Sequence, residues 1–365
     1  MQLLRECEAH ARDPLAAIAA AGEYGRVNRP LVGALGDLGL LTRVLERGSD
    51  VPAVELCLIR EGLARYSTAA ETAFVMQALG AYPVLKHGRE EVVREWIPRI
   101  AAGKAVAAFA LTEPEAGSDV ASLALAAEPD GDGYRLTGTK VYISNAPDAD
   151  LYTVFARTTA DAGSHGITAF AVPRNSEGLS GEVLQLLSPH AIGRLAFDSV
   201  RVPETHVLGE VDAGFKVAMT TLDLFRPSVG AFAVGMAQAA LDAAVEYAAQ
   251  RRVYGNTLAA YQGVTHQLAE VATRVQASRL LVYAAASARD AGVAPVRQAS
   301  AMAKLFATET AAMAVDVAIQ VHGARALEEG HLLAHLYREV RAPRIYEGAS
   351  EVQREIIARQ LFMET

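Results

Sequence analysis

Hydrophobic spacing divides the chain into three stretches. From Leu3 to Ala102 apolar residues recur at helical steps: Leu56, Ile59 and Leu63, then Phe74 and Leu79. This spacing predicts helices broken at Asp13-Pro14, Asn28-Arg29-Pro30, Gly48-Ser49 and His87-Gly88. Pro30 and Pro52 both fit first-turn positions behind a cap. From Lys104 to Pro203 the runs are short: Val106–Leu111, Tyr134–Thr137, Lys140–Ile143, Leu151–Ala156, Ile167–Val172 and Leu195–Val202. Turn chemistry separates them, and the Pro129-Asp-Gly-Asp-Gly133 segment predicts a hairpin. After Gly209 long helical periods return over Pro227–Arg252, Gly263–Asp290, Pro295–His322 and Ser350–Phe362. The expected architecture is α+β: an N-terminal α-helical part (1–103), a middle antiparallel β barrel or sandwich (104–209) and a C-terminal four-helix bundle (210–365). No linker separates these parts, so they are expected to pack as one unit.

Composition narrows the function classes. Apolar residues make up 51% of the 365, enough to bury a sizeable core. The net charge of −8, from 42 acidic against 34 basic residues, argues against nucleic acid as a partner. Two cysteines, Cys7 and Cys57, cannot form a disulfide framework or a structural zinc site, so a reducing, cytoplasmic setting is expected. The N-terminus is charged from the start, unlike a targeting segment. Charged or amide residues interrupt each alanine-rich stretch before a membrane span's roughly 20 residues, so no membrane role is expected. His190, His322, His331 and His335 are not spaced as metal ligands.

Two segments carry candidate chemistry. Ala110-Leu-Thr-Glu-Pro-Glu-Ala-Gly-Ser-Asp119 follows an apolar strand and presents hydroxyls and backbone N–H groups. Such a loop suits a planar heterocycle or an anion, but by composition alone it reads first as an ordinary turn with a Ser/Asp cap. In Ile345-Tyr-Glu-Gly-Ala-Ser350, Glu347 has apolar neighbours and a glycine hinge before a helix. A carboxylate there suits a general base with a raised pKa, or simply favourable charge at a helix N-terminus.

Together the two segments resemble the acyl-CoA dehydrogenase family. Ala110–Ser122 is similar to its first signature, and Arg338–Arg354 to its closing Arg-Asp-x-Arg…Ile-Tyr-Glu-Gly-Thr…Gln-Arg segment. Lys140-Val-Tyr-Ile-Ser-Asn145 resembles the family's flavin-facing strand, and Arg226-Pro227, Arg251-Arg-Val-Tyr-Gly255 and Gln262 its bundle landmarks.

This resemblance implies FAD and α,β-dehydrogenation of a small to medium acyl thioester, carried by CoA or an acyl-carrier protein. It makes Glu347 the base for the α-proton, with the β-hydrogen leaving as hydride to flavin N5. Phe109, Leu111, Thr112, Gly117, Ser118, Tyr142 and Ser144 become flavin contacts, with Thr112 and Ser144 bonding the isoalloxazine. Arg251, Tyr254, Gln262, Gln320, Gly323, Ala349 and Glu351 complete the cofactor set, Arg251 and Gln262 serving a neighbouring subunit's FAD. Ser118, Leu222, Asp223, Arg226, Tyr346 and Gly348 fall where relatives touch the acyl thioester. Phe225 occupies the position at which one branch of the family carries its base. The resemblance further implies an electron-transferring flavoprotein as acceptor, a homotetramer, and a place in fatty acid metabolism.

The departures mark a divergent member. Gln320-Val-His-Gly-Ala-Arg-Ala326 has Ala324 and Ala326 where the family has glycine, Ala349 replaces a Thr or Ser, and Tyr142 replaces a Trp. Leu45–Pro52 and Leu187–Gly193 replace two further family segments. An oxygen-using flavin oxidase or monooxygenase is the alternative on the same fold, but such relatives usually change this Glu. A non-catalytic flavoprotein that binds DNA is opposed by the −8 charge.

Overall fold

In a computed structural model of the protein, residues 2–46, 51–293 and 296–363 are described. The break expected at Gly48-Ser49 and the helix start expected at Pro295 lie outside them. The chain packs as two compact units that interleave in sequence. One comprises Met1–Pro14, Pro52–Glu71 and Asp223–Thr365; the other comprises Leu15–Val51 and Thr72–Leu222.

The second unit is built on an eight-stranded sheet. Its strands are β1 (Ala107–Ala110), β2 (Ala126–Asp130), β3 (Gly133–Ser144), β4 (Leu151–Arg157), β5 (Ile167–Pro173), β6 (Leu179–Val183), β7 (Ile192–Pro203) and β8 (Val207–Leu208). The order is β6-β7-β3-β2-β4-β5-β8, with β1 added onto β4. The expected hairpin forms between β2 and β3, with Asp130 opposite Gly133 and Gly131 at φ +61°.

The sheet is mixed, because β4 lies parallel to both β1 and β2. Turn chemistry announces hairpins, whereas parallel neighbours meet without a tight turn, so local sequence carries no mark of this pairing. The two runs expected at 134–137 and 140–143 are one strand, β3, with register shifts on either side of Gly138–Lys140. β7 alternates between buried and exposed positions, as a one-sided strand does, while the first six residues of β4 are all buried.

Helix Thr68–His87 supplies part of this unit's packing, from Thr72 onward. Its Gln77 Oε1 accepts from Ala107 N at 2.9 Å, and Thr153 Oγ1 donates to Gly80 O at 2.8 Å. Helix Arg29–Asp37 opens as expected, with Pro30 in the first turn and Asn28 Oδ1 accepting from Leu31 N at 3.0 Å. Pro52 instead stands just before helix Ala53–Tyr66.

The first unit is helical. Its long helices include Gly214–Gln250, which belongs to it from Asp223 onward, Gln262–Asp290 and Val296–His322; the shorter Leu332–Glu339 and Ser350–Met363 follow. Pro227, expected to open a helix, lies inside one. The preceding stretch, including buried Val217, Ala218, Leu224 and Phe225, is helical too, and burial of its apolar face outweighs the lost hydrogen bond and the crowding that an interior proline brings.

This 37-residue helix has its apolar stretch interrupted by Arg226, Gln238 and Asp242, as expected. It contains an 18-residue window long and apolar enough to cross a membrane, and 78% of that window is buried inside the fold, as in a core helix. Close crossings within this unit rely on small residues: a Cβ on Gly235 would lie 2.6 Å from Glu61 O.

Candidate active site

In the sheet-bearing unit the loop after β1 is shaped by a buried ion pair. Lys140, fully buried on β3, donates from Nζ to Glu113 Oε1 at 2.7 Å and to Leu111 O at 2.9 Å. The Glu113 carboxylate also accepts from Ala124 N at 2.6 Å and Leu125 N at 3.0 Å, so one side chain ties both ends of the loop. Burial pushes the Lys140 ammonium down to about 8, and Glu113 opposes the shift. Val141 N donates to Thr112 O at 3.0 Å, joining loop to strand.

Beside that bond β3 bulges. Tyr142 takes φ +58° and turns its ring outward, 57% exposed, and Asn145 follows at φ +67°, its Nδ2 donating to Ala107 O at 2.8 Å. The result is a surface carrying part-buried Thr112 and Ser144, whose hydroxyls bond no described residue, next to the Tyr142 ring. Gly117 and Ser118 lie on the exposed loop. Leu111 and Leu222 are buried, and Phe109 packs on Phe155 with ring centroids 4.9 Å apart.

In the helical unit the central feature is Glu347, between the short turn Ala342–Arg344 and helix Ser350–Met363. Its backbone is left-handed, φ +51°, and Gly348 follows at φ +94°. Side chains rarely adopt the Gly348 conformation, and a Cβ there would also strike Gln353 Nε2. Lys304 Nζ donates to Tyr346 O at 3.1 Å and to Gly348 O at 2.5 Å, the carbonyls on either side of Glu347. Gln353 Nε2 adds a bond to Gly348 O at 2.8 Å.

Glu347 Oε2 is buried and has no hydrogen-bond partner among the described residues. Burial raises the pKa of Glu347 above the ordinary carboxylate value; Arg60, Lys304 and Arg226 pull it back. Arg60 and Arg226 are themselves fixed. Arg60 pairs with Glu71, each 1% exposed, and donates to Ser228 Oγ at 2.7 Å. Arg226 holds Asp223 at 2.6 Å. A desolvated carboxylate with an uncommitted oxygen, balanced by fixed cations, is suited to taking a proton from a weak carbon acid.

The segment around Glu347 thus gathers Tyr346, Gly348 and Arg226, together with Arg60 and Lys304. Other expected site residues lie elsewhere. Helical rise puts Gln320 about 24 Å along its helix from Lys304, and the helix end at Gln250 about 36 Å from Arg226. Arg251, Gln262, Gln320 and Gly323 are exposed, and so is Tyr254, at 93%. Ala349 is partly buried, and exposed Glu351 meets Arg354 at 3.5 Å.

Comparison with known proteins decides the family of the chain. Models of the acyl-CoA dehydrogenase N-terminal, middle and C-terminal domains match residues 2–104, 108–200 and 212–362. The chain belongs to the acyl-CoA dehydrogenase family.

It is 39% identical over 318 residues to an acyl-CoA dehydrogenase of Bacillus subtilis, covering 86% of this chain and 84% of that protein. The structure of butyryl-CoA dehydrogenase from Megasphaera elsdenii superposes with a TM-score of 0.91 at 31% identity, covering 99% and 98% of the two chains. The FAD complex of PigA does so with a TM-score of 0.92 at 26% identity, covering 100% and 97%. The protein is accordingly an FAD flavoprotein and an oxidoreductase acting on CH–CH groups, with an acyl-CoA as substrate.

The residues present fit an acyl-CoA dehydrogenase's flavin. Two uncommitted hydroxyls, Thr112 and Ser144, stand beside an outward-facing aromatic ring. The two alanines at family glycine positions differ in setting: Ala326 is fully buried and contributes to the fold's interior, whereas Ala324 is exposed.

Sequence reasoning overlooked Glu113 and Lys140 as a pair, and also Arg60 and Lys304. The available signal was a lone cation in an apolar run, Lys304 within Ala301-Met-Ala-Lys-Leu-Phe-Ala307; Arg60, followed directly by Glu61, carries no such mark. A cation at such a place must find a buried partner.

Proposed function

We propose that this acyl-CoA dehydrogenase catalyses α,β-dehydrogenation of a small to medium acyl thioester, with Glu347 as the base that takes the α-proton. The observation that carries this reading is the buried, unpartnered Oε2 of Glu347 on a left-handed backbone. An α-proton is weakly acidic, and a desolvated carboxylate with a raised pKa is a stronger base than an exposed one. Arg60, Arg226 and Lys304 keep that carboxylate able to ionise. Phe225, the alternative position in the family, has no group that accepts a proton.

Bound FAD supplies the hydride acceptor for the β-hydrogen. Thr112 and Ser144 are the residues that would hold its ring, with Tyr142 alongside. Asp223, Arg226 and Tyr346 would bound the thioester. An electron-transferring flavoprotein is the expected acceptor.

The test is anaerobic bleaching of the flavin by a panel of acyl-CoA and acyl-carrier-protein thioesters. Wild-type protein should bleach with at least one of them. Glu347→Gln should keep its FAD spectrum and lose bleaching by at least about a thousandfold, within the upper part of the range for removal of a general base. Bleaching of Glu347→Gln at the wild-type rate would place the base elsewhere.

A further inference from the structure

The chain gives Glu347 a second dependence, on a residue of another helix. Helix Val296–His322 presents two side chains to the segment that carries the base. Glu309 binds both of its ends: Oε2 meets Arg344 Nη2 at 2.8 Å and Oε1 accepts from Ser350 Oγ at 2.7 Å. Lys304 binds its middle, through the carbonyls of Tyr346 and Gly348. Lys304 is fully buried, in a helix stretch otherwise made of alanine and other apolar residues.

A buried ammonium group is costly unless its protons are used. Here two of the three are spent on the peptide groups that bracket a residue at φ +51°. Such a backbone conformation is disfavoured for a side-chain-bearing residue and persists only where its surroundings enforce it.

We propose that Lys304 is the positioning residue of the base: it locks the left-handed turn at Glu347 and holds a positive charge behind the carboxylate as the α-proton is taken. This rests on Glu347 being the base. Lys304 touches neither substrate nor flavin in this scheme; it acts through Glu347 alone. Glu309 anchors the ends of the same segment, so one helix holds both its ends and its middle, and Gln353 adds a bond to Gly348 O.

Three cations act on Glu347, each from its own helix: Arg60 from Ala53–Tyr66, Arg226 from Gly214–Gln250 and Lys304 from Val296–His322. Tyr346 adjoins it in sequence and is itself influenced by Glu71, Arg60 and Glu339. Of the three cations, only Lys304 is hydrogen-bonded to the peptide groups beside the base, so it combines charge with backbone restraint. Burial pushes its ammonium down to about 8, with Glu347 the largest influence keeping it charged.

The experiment compares FAD-loaded wild type, Lys304→Met, Lys304→Gln, Lys304→Arg and Glu347→Gln. Flavin bleaching is followed with whichever of butyryl-, hexanoyl- and octanoyl-CoA reduces the wild type fastest, and hydrogen exchange is measured over residues 344–350. Lys304→Met should lower the limiting bleaching rate at least about tenfold, with half-saturation by the thioester changed less than about twofold. Its acid limb should move to higher pH, because a cation beside the carboxylate is gone. Residues 344–350 should exchange faster while the rest of helix Val296–His322 keeps its protection. Lys304→Gln, with two N–H donors and no charge, should recover the exchange protection more than the acid limb. Lys304→Arg should do the reverse.

An unshifted acid limb and unchanged exchange in Lys304→Met, with Glu347→Gln inactive, would overturn the positioning role and leave the base in place. Wild-type bleaching by Glu347→Gln would instead remove the base assignment itself. Should Lys304→Met fail to fold, Lys304→Gln and Lys304→Arg give the same comparison: unchanged rate, limb and exchange in both refute the proposal.

Discussion

Glu347 carries opposing demands. Burial disfavours its ionised form, yet proton abstraction needs that form. A carboxyl whose pKa is raised on folding contributes stability fully below its unfolded value, about 4.3, and loses it as pH rises through the folded one. At neutral pH the ionised side chain is therefore a net cost to the fold. Glu347→Gln is expected to melt at a higher temperature than wild type at pH 7 to 8, the gap closing as pH falls towards 4. Calorimetry across that range checks it, and a lower melting temperature at pH 8 would show that the three cations outweigh burial. The activity of wild type should correspondingly fall on an acid limb lying above the ordinary carboxylate range.

Elements translate such residue chemistry into position. β1 leads directly into the loop bearing Thr112, and helix Thr68–His87 fixes that strand through Gln77 and a glycine contact. A Cβ on Gly80 would lie 2.6 Å from Ala108 N, and the obstacle is backbone, which cannot turn aside. Gly80→Ala is expected to destabilise by about 1–3 kcal/mol, as overpacking does, although alanine favours helix by propensity. Urea unfolding followed by circular dichroism would measure it, and an unchanged or raised midpoint would refute the close approach. From sequence, Gly80 is only a weak point in a helix; the contact that requires it belongs to a strand in another segment. The bulge that turns Tyr142 outward is equally silent, because Lys140-Val-Tyr-Ile reads as plain alternation.

At the scale of the whole molecule, periodicity and packing answer different questions. Periodicity divides the chain into helical, strand and helical stretches, whereas contacts assemble two units from interleaved segments. Residues Thr72–His87 are helical by pattern yet pack in the sheet-bearing unit. A fragment spanning 104–209 would lack the Gln77 acceptor for Ala107 N and the Gly80 carbonyl to which Thr153 donates. Each buried polar group left unmade costs about 1–3 kcal/mol, in addition to the apolar surface uncovered. Expressed alone, this fragment is expected not to fold cooperatively; a sharp thermal transition with dispersed amide resonances would contradict that.

The sequence by itself determined most helical and strand stretches and the residue types at single positions, while packing set boundaries such as the helix through Pro227 and the continuous β3. Helical period, the Asp-Gly hairpin and the first turn at Asn28–Pro30 are local properties, fixed by neighbours a few residues away. The loop hydroxyl of Thr112, the carboxylate of Glu347 and the glycine after it were legible for the same reason, as residue types in short motifs. Only the tertiary structure decided what surrounds them. Arg60, Arg226 and Lys304 come from three helices far apart in the chain, and nothing local marks them as companions of one carboxylate. The parallel pairing of β1 and β2 with β4 and the partnership of Glu113 with Lys140 are likewise long-range. Charge and desolvation act through space, so the pKa of a base is set by residues with no fixed spacing from it along the chain.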